Sequence, residues 1–429
     1  MTDFIKKNRR KRFFVKAEGN SMLPLLKSGD IVYYEKIKFE HIKIDDLVLF
    51  YKKDQYFTHR VIYKTKKYLI TKGDNNLISD GKIYPDKVMA RVVDIKRNGQ
   101  IFNVENLYLI QSSFYMAELS DLCEKLTDRG IEYAIIKGLP LHLYYEKHHP
   151  RRIYADCDFL IRKSQFSDFD RLLKDKGFVM VDGGLLLPVF ERIKQAKDDL
   201  IYTKKHGRFD IVLDVHFEPE FTNTRIGNIE AFYPGELLKS LSQKFLSSKK
   251  KITINDNDFF ILDDDVLIIY LLLHLFNHGF KGTYRINFID RVIRKNRLGK
   301  NGWLKVLAFI EEYRLNNFVG PGFALLKKYY QTPIPDFFLK KLSTPPGLLK
   351  TVSKTNIYIN YRAPDEILKN SLGERFWTLF RFSPQPLWKK ITAFSDIKII
   401  LAGIFTVGVR AWYYLNYKLA KKTLRPEPL

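Results

Sequence analysis

Between residues 13 and 100, hydrophobic and polar positions alternate in short bursts. Ile31–Tyr34, Leu47–Tyr51, Tyr56–Tyr63, Tyr68–Thr71 and Val88–Ile95 are rich in Val, Ile and Tyr, and Gly/Asp/Asn clusters such as KSGD and KGDNN separate them. Such runs bounded by turn residues predict short strands in a compact all-β domain. From Val104 the period lengthens. SSFYMAELSDLCEKLTDRG has helical spacing and stops at Gly130. IEYAIIKG and YADCDFLI read as strands, LPLHLYYEKHH and DFDRLLKDKGF as helices, and RFDIVLDVHF as a strand with strict alternation. Beyond roughly residue 225 the pattern is mostly helical, broken at TPIPDF, STPPG and SPQPLW. The expected fold is multidomain: a small all-β domain (13–100), an α+β core (104–225) and a helical region (226–429).

Length and composition agree with this division. A chain of 429 residues exceeds one ordinary core. The net charge of +25 favours polyanionic partners: nucleoside triphosphates, nucleic acid or an anionic membrane surface. A lysine-rich codon bias accounts for the same excess. Two cysteines, Cys123 and Cys157, give no disulfide framework. The opening MTDFIKKNRRKRFF is basic with no apolar stretch behind it, unlike a secretory signal. The run IILAGIFTVGV (Ile399–Val409) reaches about 16 Å as a helix, against about 30 Å for a bilayer core. A cytoplasmic protein, peripheral to the membrane at most, is the expectation.

Three short segments of the β domain carry nucleophile chemistry: GNSMLP (Gly19–Pro24), THRVI (Thr58–Ile62) and KGDNNLISDG (Lys72–Gly81). A serine hydroxyl needs a neighbouring base, and the base needs an acid to orient it. Ser21 in a Gly/Pro-bounded loop, His59 on a strand, and Asp74 or Asp80 supply those types. Singly, each is an ordinary turn or strand residue. Together and in this order they resemble the type I signal peptidase family, in its endoplasmic-reticulum and sporulation branch, over residues 13–97. The resemblance implies a Ser21 nucleophile, a His59 base, supporting Asp74 and Asp80, and a peptide or preprotein substrate. That family carries a membrane anchor before its serine; this chain reaches the serine motif by Gly19 without one.

The second constellation is acidic. Asp156 and Asp158 share one face of a strand, as do Asp210, Val212, Asp214 and His216 of another. If the strands pair, Asp156, Asp158 and Asp214 converge, as hard ligands must to hold Mg²⁺ for attack on an α-phosphate. D-x-D alone is common on surface strands. Its order here, K-G, D-x-D, a helix ending in G-F, then h-D-h-H, resembles the nucleotidyltransferase superfamily of DNA polymerase β type over roughly 115–300. Within it, the match is to a bacterial family of nucleotidyltransferase-like proteins. The residues that match are Lys137, Gly138, Tyr144, Arg151 or Arg152, Asp156, Asp158, Asp214 and His216. The resemblance implies Mg²⁺ on the three aspartates and a nucleoside triphosphate near Lys137 and Gly138. The superfamily usually has Gly-Ser or Gly-Gly where this chain has Gly138-Leu139.

In the tail, His274 and His278 stand at i and i+4, but no Glu follows the first as in zinc proteases. With apolar flanks they read as packing residues, and Arg285 and Asp290 as structural or acceptor-positioning groups. Residues 350–429 hold 14 Lys/Arg against 5 Asp/Glu, with Trp377, Trp388 and Trp412, a composition suited to an anionic membrane interface. The leading expectation is a bifunctional enzyme, peptidase and nucleotidyltransferase. Its rivals are a binding module whose sites do not turn over and a membrane-attached signal peptidase.

Overall fold

The computed structural model describes residues 12–23, 25–76, 78–146, 154, 156–181, 199–206, 209–219, 221, 229–358, 372–395 and 404. Pro24, Arg151, Arg152, Trp412 and nearly all of the 399–409 run lie outside them. The alternating segments of the N-terminal third form eight strands: β1 (Arg12–Lys16), β2 (Ile31–Glu35), β3 (Leu47–Lys52), β4 (Gln55–Lys64), β5 (Leu69–Lys72), β6 (Gly81–Ile83), β7 (Val88–Arg97) and β8 (Gln100–Asn103). They pair antiparallel throughout, in the order β1-β2-β7-β3-β4-β5-β6, with β8 on β7. This is an antiparallel half-barrel. The periodicity missed β1, β6 and β8. Four of the five β1 residues are exposed, so no alternation marks it.

Two clusters fill the unit. Val48, Phe50, Val61, Leu69 and Ile83 form one. In the other, Met22, Leu25 and Leu26 from the Ser21 loop pack with Val32, Leu49 and Ile95 and with Val104 and Tyr108 of the next helix. That helix, α1 (Val104–Asp128), is capped by the Asn103 side chain accepting from the Glu105 N–H at 2.9 Å. At 25 residues it spans about 37 Å. Its first turns belong to the first core; from Tyr115 onward it belongs to a second.

The second sheet contains β9 (Tyr133–Lys137), β10 (Cys157–Ile161), β11 (Val179–Met180), β12 (Asp199–His206), β13 (Phe209–His216), β14 (Lys249–Ile254) and β15 (Asn257–Leu262), in the order β11-β12-β13-β10-β9-β15-β14. Between them come α2 (Leu139–Tyr145), α3 (Phe166–Asp175) and α4 (Gly235–Ser247). The β14–β15 hairpin corrects the helical expectation beyond residue 225. Its turn residues Asn255 and Asp256 have φ of 47° and 63°, the left-handed pair that tight two-residue hairpins require. Its strand β15 pairs with β9, so the sheet runs well past residue 225.

Helices follow: α5 (Asp264–Asn277), α6 (Thr283–Asn296), α7 (Lys300–Glu312), α8 (Asn316–Tyr330), α9 (Asp336–Lys341), α10 (Pro346–Ser353), α11 (Leu372–Phe382) and α12 (Leu387–Ile391). Helix α5 is buried almost all round, from Val266 to Phe276, and packs against α6, α7 and α8. One continuous apolar cluster joins the second sheet to these helices. The two units touch again where Tyr63 of β4 donates to the Tyr329 carbonyl at 2.8 Å and packs edge-on against Tyr330. Among the described residues, no helix is long and apolar enough to cross a membrane.

Candidate functional site

The serine loop is held from three sides. Gly19 turns the chain with φ of 81°. Behind the loop, buried Asp30 takes both arms of Arg97, at 2.8 and 2.6 Å, while Arg97 also donates to the Leu25 carbonyl at 2.9 Å. In front, the Asn75 N–H donates to the Ser21 carbonyl at 2.8 Å. Gly73 lies so close that a Cβ there would sit 2.6 Å from the Ser21 oxygen. The KGDNN segment is thus a clamp on the serine loop, and its glycine is a steric requirement.

Ser21 Oγ lies 2.9 Å from His59 Nε2, and His59 Nδ1 lies 2.8 Å from Asp80 Oδ2. The Asp80 carboxylate only accepts, so it fixes the proton on Nδ1 and leaves Nε2 to accept from the serine hydroxyl. Thr71 donates to the same Asp80 oxygen at 2.7 Å. The imidazole is buried against the rings of Phe50 and Phe57, with centroids 5.9 and 5.8 Å away. Hydroxyl, imidazole and carboxylate in this order are what general-base activation of a serine needs. Asp74 stands elsewhere. It receives Arg60 in a two-armed pair, at 2.7 and 2.6 Å, so its partner is the guanidinium and not the imidazole.

The acidic constellation forms on the second sheet. Strand β10 pairs in parallel with β13, setting Asp158 directly opposite Asp214, and antiparallel with β9, setting Asp158 opposite Lys137. Lys137, Asp158 and Asp214 therefore stand abreast on three neighbouring strands. Asp158 is almost fully buried and takes Lys137 Nζ at 2.6 Å and His216 Nε2 at 3.0 Å, both on Oδ1. Asp158, Asp214 and His216 offer ligand atoms all within 4.8 Å of one another, a group able to hold a metal ion. This differs from the expected trio. Asp156 lies one residue before β10 and outside that group, though its charge reaches Asp214. Burial, then Asp158 and Asp156, push the Asp214 carboxyl from 3.8 up to about 7, against the pull of His216 and Lys137.

Gly138 has φ of 111°, and a Cβ there would meet Cys157 Sγ at 2.8 Å. Backbone conformation and the contact with β10 account for a glycine at this position. Tyr144 lies under the Lys295 ammonium, 3.9 Å from the ring centroid. Burial raises the Cys157 thiol well above its usual range and the Cys123 thiol to about 12, so neither is a thiolate at neutral pH.

His274 of α5 and His278, which caps that helix, belong to the same neighbourhood. Arg285 donates to His274 Nε2 at 3.4 Å and lies 3.2 Å from His278 Nε2. Burial first, then the charges of Lys137 and Arg285, hold His274 well below its ordinary pKa, while Asp158 pulls the other way. His274 is thus within electrostatic reach of the Lys137–Asp158 pair, which a purely packing reading did not anticipate. The usable signal was an i, i+4 histidine pair followed by an arginine on the next helix. His216 was visible in the sequence as well, on the Asp214 face. Asp290 is structural: it pairs with Arg294 at 2.9 Å and accepts from Thr332 at 2.7 Å. In the tail, Trp377 and Trp388 are exposed.

Comparison with known proteins bears on the second unit. The model of a family described as uncharacterised nucleotidyltransferase matches residues 103–331, more than half of the chain. The match begins at the cap of α1 and ends one residue after α8. The crystal structure of an antigenic nucleotidyltransferase-like protein from Paracoccidioides brasiliensis is similar at 17% identity and a TM-score of 0.34, over 56% of this chain and 98% of its own. At that TM-score the likeness carries no argument. No curated protein matches the chain.

Proposed function

The chain belongs to the uncharacterised nucleotidyltransferase family, and from that premise we propose that its second unit transfers a nucleotidyl group from a nucleoside triphosphate. The observation that carries this reading is the row Lys137, Asp158 and Asp214 across β9, β10 and β13. Two carboxylates of one site, with Asp214 driven to about 7 by burial and then by the neighbouring Asp158 and Asp156, make a donor set that a divalent cation would relieve. The residues present therefore fit Mg²⁺ or a similar ion, held by Asp158 and Asp214. Such an ion, when bound, supplies charge neutralisation at the phosphates. Lys137 would leave Asp158 and turn to the phosphate oxygens, and the Gly138 backbone would lie beside them. An acceptor hydroxyl then attacks the α-phosphate. A new P–O bond forms, the bond to pyrophosphate breaks, and the hydroxyl proton passes to solvent.

The test is incubation of the full chain with α-labelled nucleoside triphosphates, Mg²⁺ or Mn²⁺ and candidate acceptors. Label should appear in a product with the wild type and not with Asp158→Asn. Calorimetry with each triphosphate showing no metal-dependent binding would leave the fold without this activity.

A second reading concerns the first unit, and the hydrogen-bonded series Ser21–His59–Asp80 favours it. In that reading the half-barrel is a serine endopeptidase of signal-peptidase type, acting on a peptide or preprotein. Ser21 attacks the carbonyl carbon, His59 Nε2 takes its proton and returns it to the leaving amine, and Asp80 holds the imidazole. Exposed Trp377 and Trp388, the latter followed in the chain by Lys389 and Lys390, support contact of the tail with an anionic membrane surface.

A further inference from the structure

One ligand atom of the acidic site is nitrogen. His216 Nε2 and Asp158 Oδ1 lie 3.0 Å apart, and the two residues belong with Asp214 to a group whose ligand atoms, one from each residue, all lie within 4.8 Å of one another. Two adjacent ligands of an octahedral ion, each about 2.1 Å from the metal, are separated by about 3.0 Å. His216 and Asp158 already stand at that chelating separation. Opposite ligands would lie about 4.2 Å apart, so the group's span accommodates the third. The backbone enforces this arrangement: His216 follows Asp214 by two residues on β13, and Asp158 faces Asp214 on β10.

We propose that His216 ligates the cation directly and that the site takes Mn²⁺ in preference to Mg²⁺. This rests on the reading of Asp158 and Asp214 as the metal-holding carboxylates. Mg²⁺ is a hard ion that prefers oxygen and keeps its water. An imidazole nitrogen gives it little, whereas Mn²⁺ accepts both carboxylate and imidazole and stands at the start of the transition-metal affinity series. Ligation requires a lone pair on Nε2, so the His216 proton resides on Nδ1 in the loaded state. The Lys137 ammonium, 2.6 Å from the same Asp158 oxygen, is displaced as the ion enters.

The rival role for His216 is a hydrogen-bond donor that orients Asp158 without touching the metal. Pulsed electron paramagnetic resonance of Mn²⁺ on the metal-stripped full chain separates the two. Direct ligation gives a ¹⁴N coupling that vanishes in His216→Gln, a variant that keeps a donor. Titration calorimetry of the wild type should show Mn²⁺ binding at least about tenfold tighter than Mg²⁺. That ratio should fall to within about threefold in His216→Asp, whose ligands are all oxygen. Bound Mn²⁺ without a coordinated nitrogen overturns the proposal. So does a nitrogen signal that persists in His216→Gln, equal wild-type affinity for the two ions, or no Mn²⁺ binding at all. Should either variant fail to fold, the wild-type spectrum and affinity ratio still decide. Nucleotide binding measured in parallel tells this failure from failure of the transfer reading: nucleotide bound without metal–nitrogen coupling sinks only the ligand assignment, and coupling without nucleotide binding sinks only the transfer.

Discussion

Asp214→Asn should make the metal-free protein more stable at pH 8 while abolishing its response to metal. In the folded wild type the Asp214 carboxyl titrates at about 7 against 3.8 for the free group. The folded state therefore binds more protons than the unfolded state between those values. Its stability from this group is complete below pH 4 and is lost as pH rises through 7. At about 1.4 kcal/mol per pKa unit the full difference is about 4 kcal/mol. Asp214 retains some solvent contact and shares its proton affinity with Asp158, so about 2 kcal/mol is the reasonable expectation. For a unit of this size that is about 4–8 °C in melting temperature. An amide is close in shape and carries no charge to repel Asp158 and Asp156. Melting curves in chelator at pH 4 and pH 8 should then lie close together at pH 4 and separate at pH 8, with the variant higher. Added Mn²⁺ or Mg²⁺ should raise the wild type above its chelated value and leave the variant unmoved. Equal pH slopes for the two proteins would show that Asp214 is not the strained group.

Three further substitutions probe the other contacts. Ser21→Ala should abolish covalent labelling by a fluorophosphonate probe, and Asp80→Asn should slow it by about 10³–10⁴-fold, because the wrong imidazole tautomer then faces the serine; undiminished labelling of Ser21→Ala would remove the serine reading. Lys137→Met should cost about 3 kcal/mol of stability in chelator, since it leaves a buried carboxylate without its counter-charge. Saturating Mn²⁺ should restore most of that loss, and an unchanged melting temperature in chelator would show that the 2.6 Å pair contributes nothing.

What the sequence disclosed depended on whether a signal was local. The strands bearing His59, Asp158 and Asp214 were legible because a run rich in strand-forming apolar residues, strictly alternating only in the Asp214 strand, is a property of the strand itself. The pairing of β10 with β13 was conditional on the sequence and became definite only in the sheet order. Hairpin β14–β15 escaped notice because its first strand, KKKITI, opens with three lysines, and only Ile252 is buried. The choice between Asp74 and Asp80 could not be read at all. Both follow His59 within a loop-rich stretch, and the difference is made by Arg60, whose side chain competes for Asp74. Likewise His274 comes near Lys137 only through the packing of α5, which no local pattern encodes.

Arg60 also explains why the two units are not independent beads on a linker. Successive residues of β4 point to opposite sides. His59 reaches Ser21 and Asp80, while Arg60 reaches Asp74, the Asp45 carbonyl at 3.1 Å and the Tyr108 hydroxyl at 3.3 Å. Tyr108 lies on α1, so the clamp that seats the serine loop is tied to the helix on which the second unit is built. Seven residues on, the Tyr115 hydroxyl donates to the Val212 carbonyl of β13, two positions before Asp214. Seven residues are close to two helical turns, so both tyrosines lie near one line along α1, about 10 Å apart in rise. A single stiff helix thus contacts the support of the serine loop with one tyrosine and the strand of Asp214 with another. Its two ends are buried in two different cores, each of which would lose apolar contacts if α1 turned or slid. The spacing of the two sites is accordingly set by helix geometry.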